Sequence, residues 1–421
     1  MALVVTKFGG TSVGNTERIR AVADRLIARK KAGDSVVAVV SAMGHVTDEL
    51  VSLAREICPN PPDREMDMLL STGEQVSIAL LAMAIEAQGF PAISFTGAQV
   101  GIVTDAVHSK AKIAEVRADR VRDAIADGYI VIVAGFQGMT PDGQITTLGR
   151  GGSDTTAVAV AAGIGADMCE IYTDVDGVYS ADPRIEPKAR KIDYIAYDEM
   201  LEMAASGAGV LQMRSVEFAR NHNVVIHCRS SFHDGPGTIV KEADEHMEQA
   251  IISGVTHDTS EAKVTIRDVP DTPGVAARVF TSLAEVNANI DMIIQNVSED
   301  GTTDISFTSP KDDLGRVRTA LDAVVKELGA REWTVDEGIA KVSLVGAGMK
   351  THPGIAAKMF STLADAGVNL DMISTSPIRI SCVIAASQVT DAVRSLHAAF
   401  GLDSDEITAV TSPSAPCGEG K

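Results

Sequence analysis

The second half of the chain repeats itself, and this limits its fold more than any other feature. Pro273-Gly274-Val275-Ala276-Ala277 matches Pro353-Gly354-Ile355-Ala356-Ala357 at an offset of 80 residues. The agreement continues through Phe280 and Phe360, Leu283 and Leu363, and Asn289 and Asn369, to Asp291-Met292-Ile293 and Asp371-Met372-Ile373. Each copy opens on a strand, Lys263–Ile266 and Lys341–Leu344, followed by a Pro-Gly turn, an amphipathic helix and a second strand after Asn-x-Asp-Met-Ile. Two such βαβ-type units imply one pseudo-symmetric module for a small ligand.

The first 230 residues or so follow a different rule, alternating short β-branched runs with helical patterns. Leu3-Val4-Val5 reads as a strand ending at Gly9-Gly10. Asn15 is an N-cap for a helix whose apolar face is Ile19, Val22, Ala23, Leu26 and Ile27, and Gly33 stops it. Residues 35–41 and 129–134 read as fully buried strands, Thr155–Ala162 as a buried Ala-rich helix, and Glu170–Thr173 as a short strand. Strand and helix in alternation predict an α/β domain with a mostly parallel sheet sandwiched by helices. Between the halves, Asp234 to Glu248 turns to Gly, Pro and charge and reads as a linker.

Charge and cysteine usage remove several classes of function. The formal net charge of -20 argues against nucleic acid or an anionic membrane as partner, and no continuously apolar run reaches the roughly 18 residues of a membrane span. Five scattered cysteines without C-x-x-C spacing read as free thiols in a reducing cytoplasm. The nine histidines show no metal spacing, so no metal site is assigned.

Four glycine-marked loops follow strands in the first half, where open α/β sheets place ligands. They are Lys7-Phe8-Gly9-Gly10-Thr11-Ser12, residues 41–47 (SAMGHVT), residues 148–156 (LGRGGSDTT) and residues 172–184 (YTDVDGVYSADPR). Glycines let backbone N–H groups approach a phosphate, and Lys7 adds a mobile charge. Arg150 suits a carboxylate, beside a helix N-terminus that favours anions. No Walker motif, protein-kinase element or dinucleotide fingerprint occurs. Glu74 alone reads as an exposed carboxylate at a helix start, and Met66, Asp67 and Met68 as packing and solvated face.

Taken in order, the loops and the segment Ser71-Thr72-Gly73-Glu74 resemble one family: the monofunctional aspartate kinases of the amino-acid kinase superfamily, with two C-terminal ACT units. The resemblance covers Leu3 to about Leu402. It implies a catalytic domain over 1–233, a linker over 234–250 and ferredoxin-like α+β ACT units over 251–335 and 336–408; the tail over 409–421 departs from the family's usual ending and reads as disordered. It implies ATP with Mg2+, and transfer of the γ-phosphoryl group to the side chain of L-aspartate. Lys7 would contact the transferred group and Asp154 would orient the reactants. Glu74 would receive the aspartate ammonium and Arg150 its α-carboxylate, in a pocket completed by Ser41, Thr47, Gly151, Gly152 and Ser153. Gly9, Gly10, Thr173, Asp174, Tyr179, Asp182 and Arg184 would hold the nucleotide.

The same resemblance implies feedback. Threonine would bind through Asp271, Gly274 and Ala276 of the first Pro-Gly turn, with Asp291, Gln295 and Asn296 of the strand 289–298. Asn369 and Ser376 of the second unit would also belong to the allosteric set. Pro377 stands where close relatives carry a glutamate, so lysine inhibition is expected to weaken unless Asp291 or Asp371 serves its second cation. A homodimer or larger assembly through the ACT units is implied, with a shorter regulatory chain started internally, for which Met247 is a candidate. The rival readings are an N-acetylglutamate kinase, whose substrate lacks the ammonium Glu74 would need, and a catalytically idle amino-acid sensor.

Overall fold

The computed structural model describes residues 1–243, 251–296 and 301–403 of the chain. They form two compact units. The first holds Met1–Val178, Lys191–Ala205 and the stretch beginning at Gly209; the second holds Tyr179–Arg190, Ser206–Ala208 and the described residues after 250.

The first unit is built on an eight-stranded sheet. Its order is Tyr194–Ala196, Thr238–Lys241, Ile226–Ser230, Met168–Thr173, Leu3–Phe8, Ser35–Val40, Ile130–Ala134 and Ala92–Phe95. All neighbours are parallel except Ile226–Ser230 with Thr238–Lys241. Val36–Val40 and Ile130–Ala134 are buried throughout, as strands covered on both faces must be. The helix Thr16–Lys31 starts where Asn15 accepts a hydrogen bond from the Arg18 N–H, and it buries the five apolar residues read from the sequence. The helix Gly152–Ile164 is buried on nearly every side.

Leu3–Phe8 is flanked by Ser35–Val40 on one side and by Met168–Thr173 on the other. The carboxyl ends of the three strands therefore lie together, and the loops leaving them form a crevice there. The longest helix, Asp63–Glu86, is long and apolar enough by composition to cross a membrane. It instead packs against strands and helices of this unit and buries two carboxylates, Asp67 and Glu74.

The second unit contains two four-stranded antiparallel sheets. In the first, the order is Ile293–Gln295, Thr302–Pro310, Glu261–Pro270, Glu332–Asp336. In the second it is Gly254–Asp258, Ile339–Val345, Arg379–Ala385, Met372–Ser376. In each repeat a third strand separates the two that bracket the helix, which gives a ferredoxin-like α+β sheet rather than a parallel βαβ pair.

Two boundaries differ from the sequence reading. Thr238–Lys241, inside the stretch read as linker, is a strand of the first unit's sheet. Gly254–Asp258, read as the start of the first ACT unit, pairs with Ile339–Val345 and completes the second unit's sheet. Met247 and the tail 409–421 lie outside the described residues.

Candidate active site

A cleft of about 300 Å³ opens where the three strand ends meet. Lys7, Gly9, Gly10, Ser41, Arg150, Gly151, Gly152, Ser153, Asp154 and Thr173 line it. Residues from three of the four glycine-marked loops, and from the end of the strand that opens the fourth, are thus brought together. Gly149 of the third loop lines it too, as do Phe136, Ile171, Gly209, Val210 and Gln212; no motif in the sequence pointed to these last five.

At the centre, Lys7 Nζ lies 2.6 Å from Asp154 Oδ1, with the two side chains only 12% and 9% exposed. Lys7 comes from the strand Leu3–Phe8, and Asp154 from the first turn of the helix Gly152–Ile164, where a negative charge is favoured. A Cβ on Gly10 would come within 2.9 Å of the Ala42 carbonyl oxygen, so the first two loops can approach this closely only with glycine there.

Arg150 is exposed at the cleft and makes no hydrogen bond or ion pair among the described residues. It stands between two glycines in left-handed backbone geometry, Gly149 at φ +76 and Gly151 at φ +71. A guanidinium so presented can fork onto a ligand carboxylate.

Glu74 differs from its sequence reading. It sits in the middle of a helix and is 3% exposed, not at an exposed helix start. One oxygen accepts from the Ala42 N–H at 3.2 Å, one residue from Ser41; the other, Oε2, is buried without a hydrogen-bond partner. Burial pushes its carboxyl up to about 7, against weaker backbone hydrogen bonds that pull it down. Glu74 and Thr47 are not among the residues lining the cleft.

Asp67 also departs from expectation. It is fully buried, where a packing or solvated position was expected.

Thr173 and Asp174 belong to the first unit, while Tyr179, Asp182 and Arg184 belong to the second. There Asp182 holds Arg184 in a fork, at 3.0 Å and 2.7 Å, and that contact lowers the Asp182 pKa. Ala181 is part of the core of the second repeat, and the Ser180 hydroxyl is 2.9 Å from His397 Nε2.

In the effector module, the turn Asp271-Thr272-Pro273-Gly274 is exposed, with Gly274 at φ +99. Gln295, at the end of the edge strand Ile293–Gln295, and Asn296 just after it are exposed, and Asn369 is exposed in the second repeat. Asp291 Oδ2 is 2.6 Å from the buried Lys341 ammonium, which also contacts Glu261 at 2.8 Å. Asp371 is 3.0 Å from Lys263. Both acids that could have served a lysine ligand already have an internal lysine.

The family comparisons agree with this division. Residues 2–230 match the amino acid kinase family, and residues 264–329 and 342–400 each match the ACT domain. An aspartokinase of Mycolicibacterium smegmatis is 57% identical over 411 residues, covering 96% of this chain and 98% of its own. The crystal structure of Escherichia coli aspartokinase III in complex with aspartate and ADP superposes with a TM-score of 0.80 at 26% identity, covering 95% of this chain and all of the other. The same enzyme with lysine and aspartate gives a TM-score of 0.73 at 27% identity, covering 94% and 99%.

Proposed function

Because the chain belongs to the aspartokinases of the amino acid kinase family, we propose that the Lys7–Asp154 cleft is where its reaction takes place. That reaction transfers the ATP γ-phosphoryl group to the side-chain carboxylate of L-aspartate, giving ADP and 4-phospho-L-aspartate, and the ACT domains subject it to feedback.

The aspartate carboxylate is already an anionic nucleophile, so the site needs no strong base. It must bring two anions into line and offset their charge. Lys7 supplies a cation to the transferring group, and Asp154 holds that ammonium in place from the helix N-terminus. Arg150 takes the α-carboxylate of aspartate. Glu74 takes its ammonium, a role supported by the orphaned Oε2 oxygen. Gly9 and Gly10 let the phosphates approach backbone N–H groups, and Ser41, Thr47 and residues 151–153 shape the substrate pocket.

Among the described residues, no three carboxylates, imidazoles or thiols gather into a metal cage. Mg2+ binds largely through substrate phosphates and one or two carboxylates, and Asp154, in the cleft, is the carboxylate that would hold it beside Lys7. When bound, it neutralises phosphate charge.

Threonine is the effector of the first ACT unit, and lysine inhibition is weak. Pro377 offers no carboxylate, and Asp291 and Asp371 are held by Lys341 and Lys263. The edge strands Ile293–Gln295 and Met372–Ser376 expose Ile293 and Ile373, which suits pairing with a second copy. The setting is the cytoplasm, where ATP and free aspartate are available.

The observation that carries the reading is the buried Lys7–Asp154 pair beside an unengaged Arg150. ADP release with L-aspartate, compared with N-acetyl-L-glutamate and with no acceptor, tests it. Release confined to L-aspartate is expected; release with N-acetyl-L-glutamate alone, or with neither, overturns it.

A further inference from the structure

We propose that Asp67 and Arg214 are positioning residues for Arg150, holding its loop from two sides so that the guanidinium is set for the aspartate α-carboxylate. The proposal rests on the assignment of that carboxylate to Arg150.

The loop that carries Arg150 follows the strand Ile145–Thr147 and leads into the helix Gly152–Ile164. Arg150 itself is exposed, so neighbours of its own side chain do not fix it. Its flanking glycines do touch neighbours. A Cβ on Gly149 would lie 3.0 Å from the Ser109 carbonyl oxygen, and one on Gly151 only 2.1 Å from Gln212 Cγ. The loop is therefore pressed between residues 109–111 on one side and Gln212 on the other.

Asp67 fixes the first of these walls. Its carboxylate is 0% exposed and accepts from the Ser109 N–H at 3.1 Å, pairs with His108 Nδ1 at 2.7 Å, and accepts from the Thr147 hydroxyl. Thr147 lies three residues before Arg150, so one buried group ties the wall and the root of the loop together. A carboxylate buried this deeply is costly unless it is fully hydrogen-bonded, and these donors meet that need.

Arg214 fixes the second wall to the first. Its Nη1 donates to the Leu148 carbonyl at 2.5 Å and its Nη2 to the Ala111 carbonyl at 2.9 Å. Ala111 also donates its N–H to the Thr147 carbonyl at 3.0 Å. Arg214 lies two residues after Gln212, the residue packed against Gly151. Among the described residues, no hydrogen bond of Asp67 or Arg214 goes to a residue proposed to contact the nucleotide. Their loss is expected to act on aspartate and to spare ATP, since a small displacement of a binding group is costly in catalysis.

The test is a double-mutant cycle with purified full-length protein. Arg150→Ala is measured first. If it leaves the aspartate KM unchanged, the underlying assignment of Arg150 fails, and this proposal with it. If Arg150→Ala raises that KM, Asp67→Ala and Arg214→Lys are each expected to raise it about tenfold, with ATP KM and kcat within about twofold of the parent. In the Arg150→Ala background they are expected to add nothing further. Asp67→Asn, which keeps an acceptor for Ser109 and Thr147, is expected to recover most of the loss. Should Asp67→Ala not fold, Arg214→Lys and Asp67→Asn carry the cycle. Equal rises in both KM values, a full additional rise in the Arg150→Ala background, or unchanged aspartate KM would each overturn the proposal.

Discussion

Lys7 Nζ and Asp154 Oδ1 are 2.6 Å apart in the strand-end cleft, with both side chains largely buried. The pair joins the end of a central strand to the start of a helix, and in the proposed reaction its ammonium serves the transferring phosphoryl group. That charge matters most in the transition state. Lys7→Ala is expected to lower kcat by about 10²–10³ and leave the aspartate KM within a few-fold. Steady-state kinetics in both substrates checks this, and near-parental turnover would remove Lys7 from the mechanism.

Arg150 has no hydrogen-bond or ion-pair partner among the described residues, so removing it leaves no buried charge behind among them. A charge-assisted bond to a carboxylate is worth roughly 1.5–3 kcal/mol, about ten- to a hundredfold in affinity. Arg150→Ala is therefore expected to raise the aspartate KM by that factor and the ATP KM much less. Equal effects on both substrates would contradict the assignment.

Glu74 sets a pH dependence whose sign follows from its burial. Its carboxyl rises from an ordinary 4.5 to about 7, so the free protein holds this proton across that range while the unfolded chain does not. The group's contribution to stability therefore falls as pH rises from 4.5 to about 7. Binding an ammonium needs the ionised form, so kcat/KM for aspartate is expected to drop below about pH 7, with the kcat limb at lower pH. Glu74→Gln is expected to be weak and to lose this limb. A pH profile unchanged by the substitution would count against the role.

Lysine regulation follows from three side chains. With Pro377 in the strand turn, and with Asp291 and Asp371 engaged by Lys341 and Lys263, a second ammonium has no free carboxylate among these positions. Threonine is expected to inhibit, and lysine to have little effect alone or with threonine. Pro377→Glu is expected to restore lysine inhibition. Strong lysine inhibition of the unmodified protein, unchanged by Pro377→Glu, would rule out this account.

Much of this was legible in the sequence, and the exceptions share a cause. The strand Ser35–Val40, the Asn15-capped helix and the two repeats announce themselves through local periodicity and capping. The glycine loops that line the cleft stood out through their combination and order along the chain, since a glycine turn after one strand is commonplace. Gly254–Asp258 was assigned to the wrong sheet because its partner lies some 90 residues away, and no local pattern records that pairing. Thr238–Lys241 is only four residues long and follows Gly235-Pro236-Gly237, so turn signals hid it. Asp67 and Glu74 looked like solvated carboxylates because burial of a lone charge depends on donors from distant loops, as with His108, Ser109 and Thr147 for Asp67.

In the proposed reaction the Lys7–Asp154 cleft phosphorylates the side-chain carboxylate of free aspartate, gripped by its α-carboxylate and ammonium. Trapping the acyl phosphate with hydroxylamine, and measuring the hydroxamate formed from L-aspartate, N-acetyl-L-aspartate and succinate, tests it most directly. The account predicts ATP-dependent hydroxamate from L-aspartate, lost with Lys7→Ala, and little from the two analogues that lack the ammonium. Comparable yields from all three acceptors, or a yield from L-aspartate that survives Lys7→Ala undiminished, would contradict it.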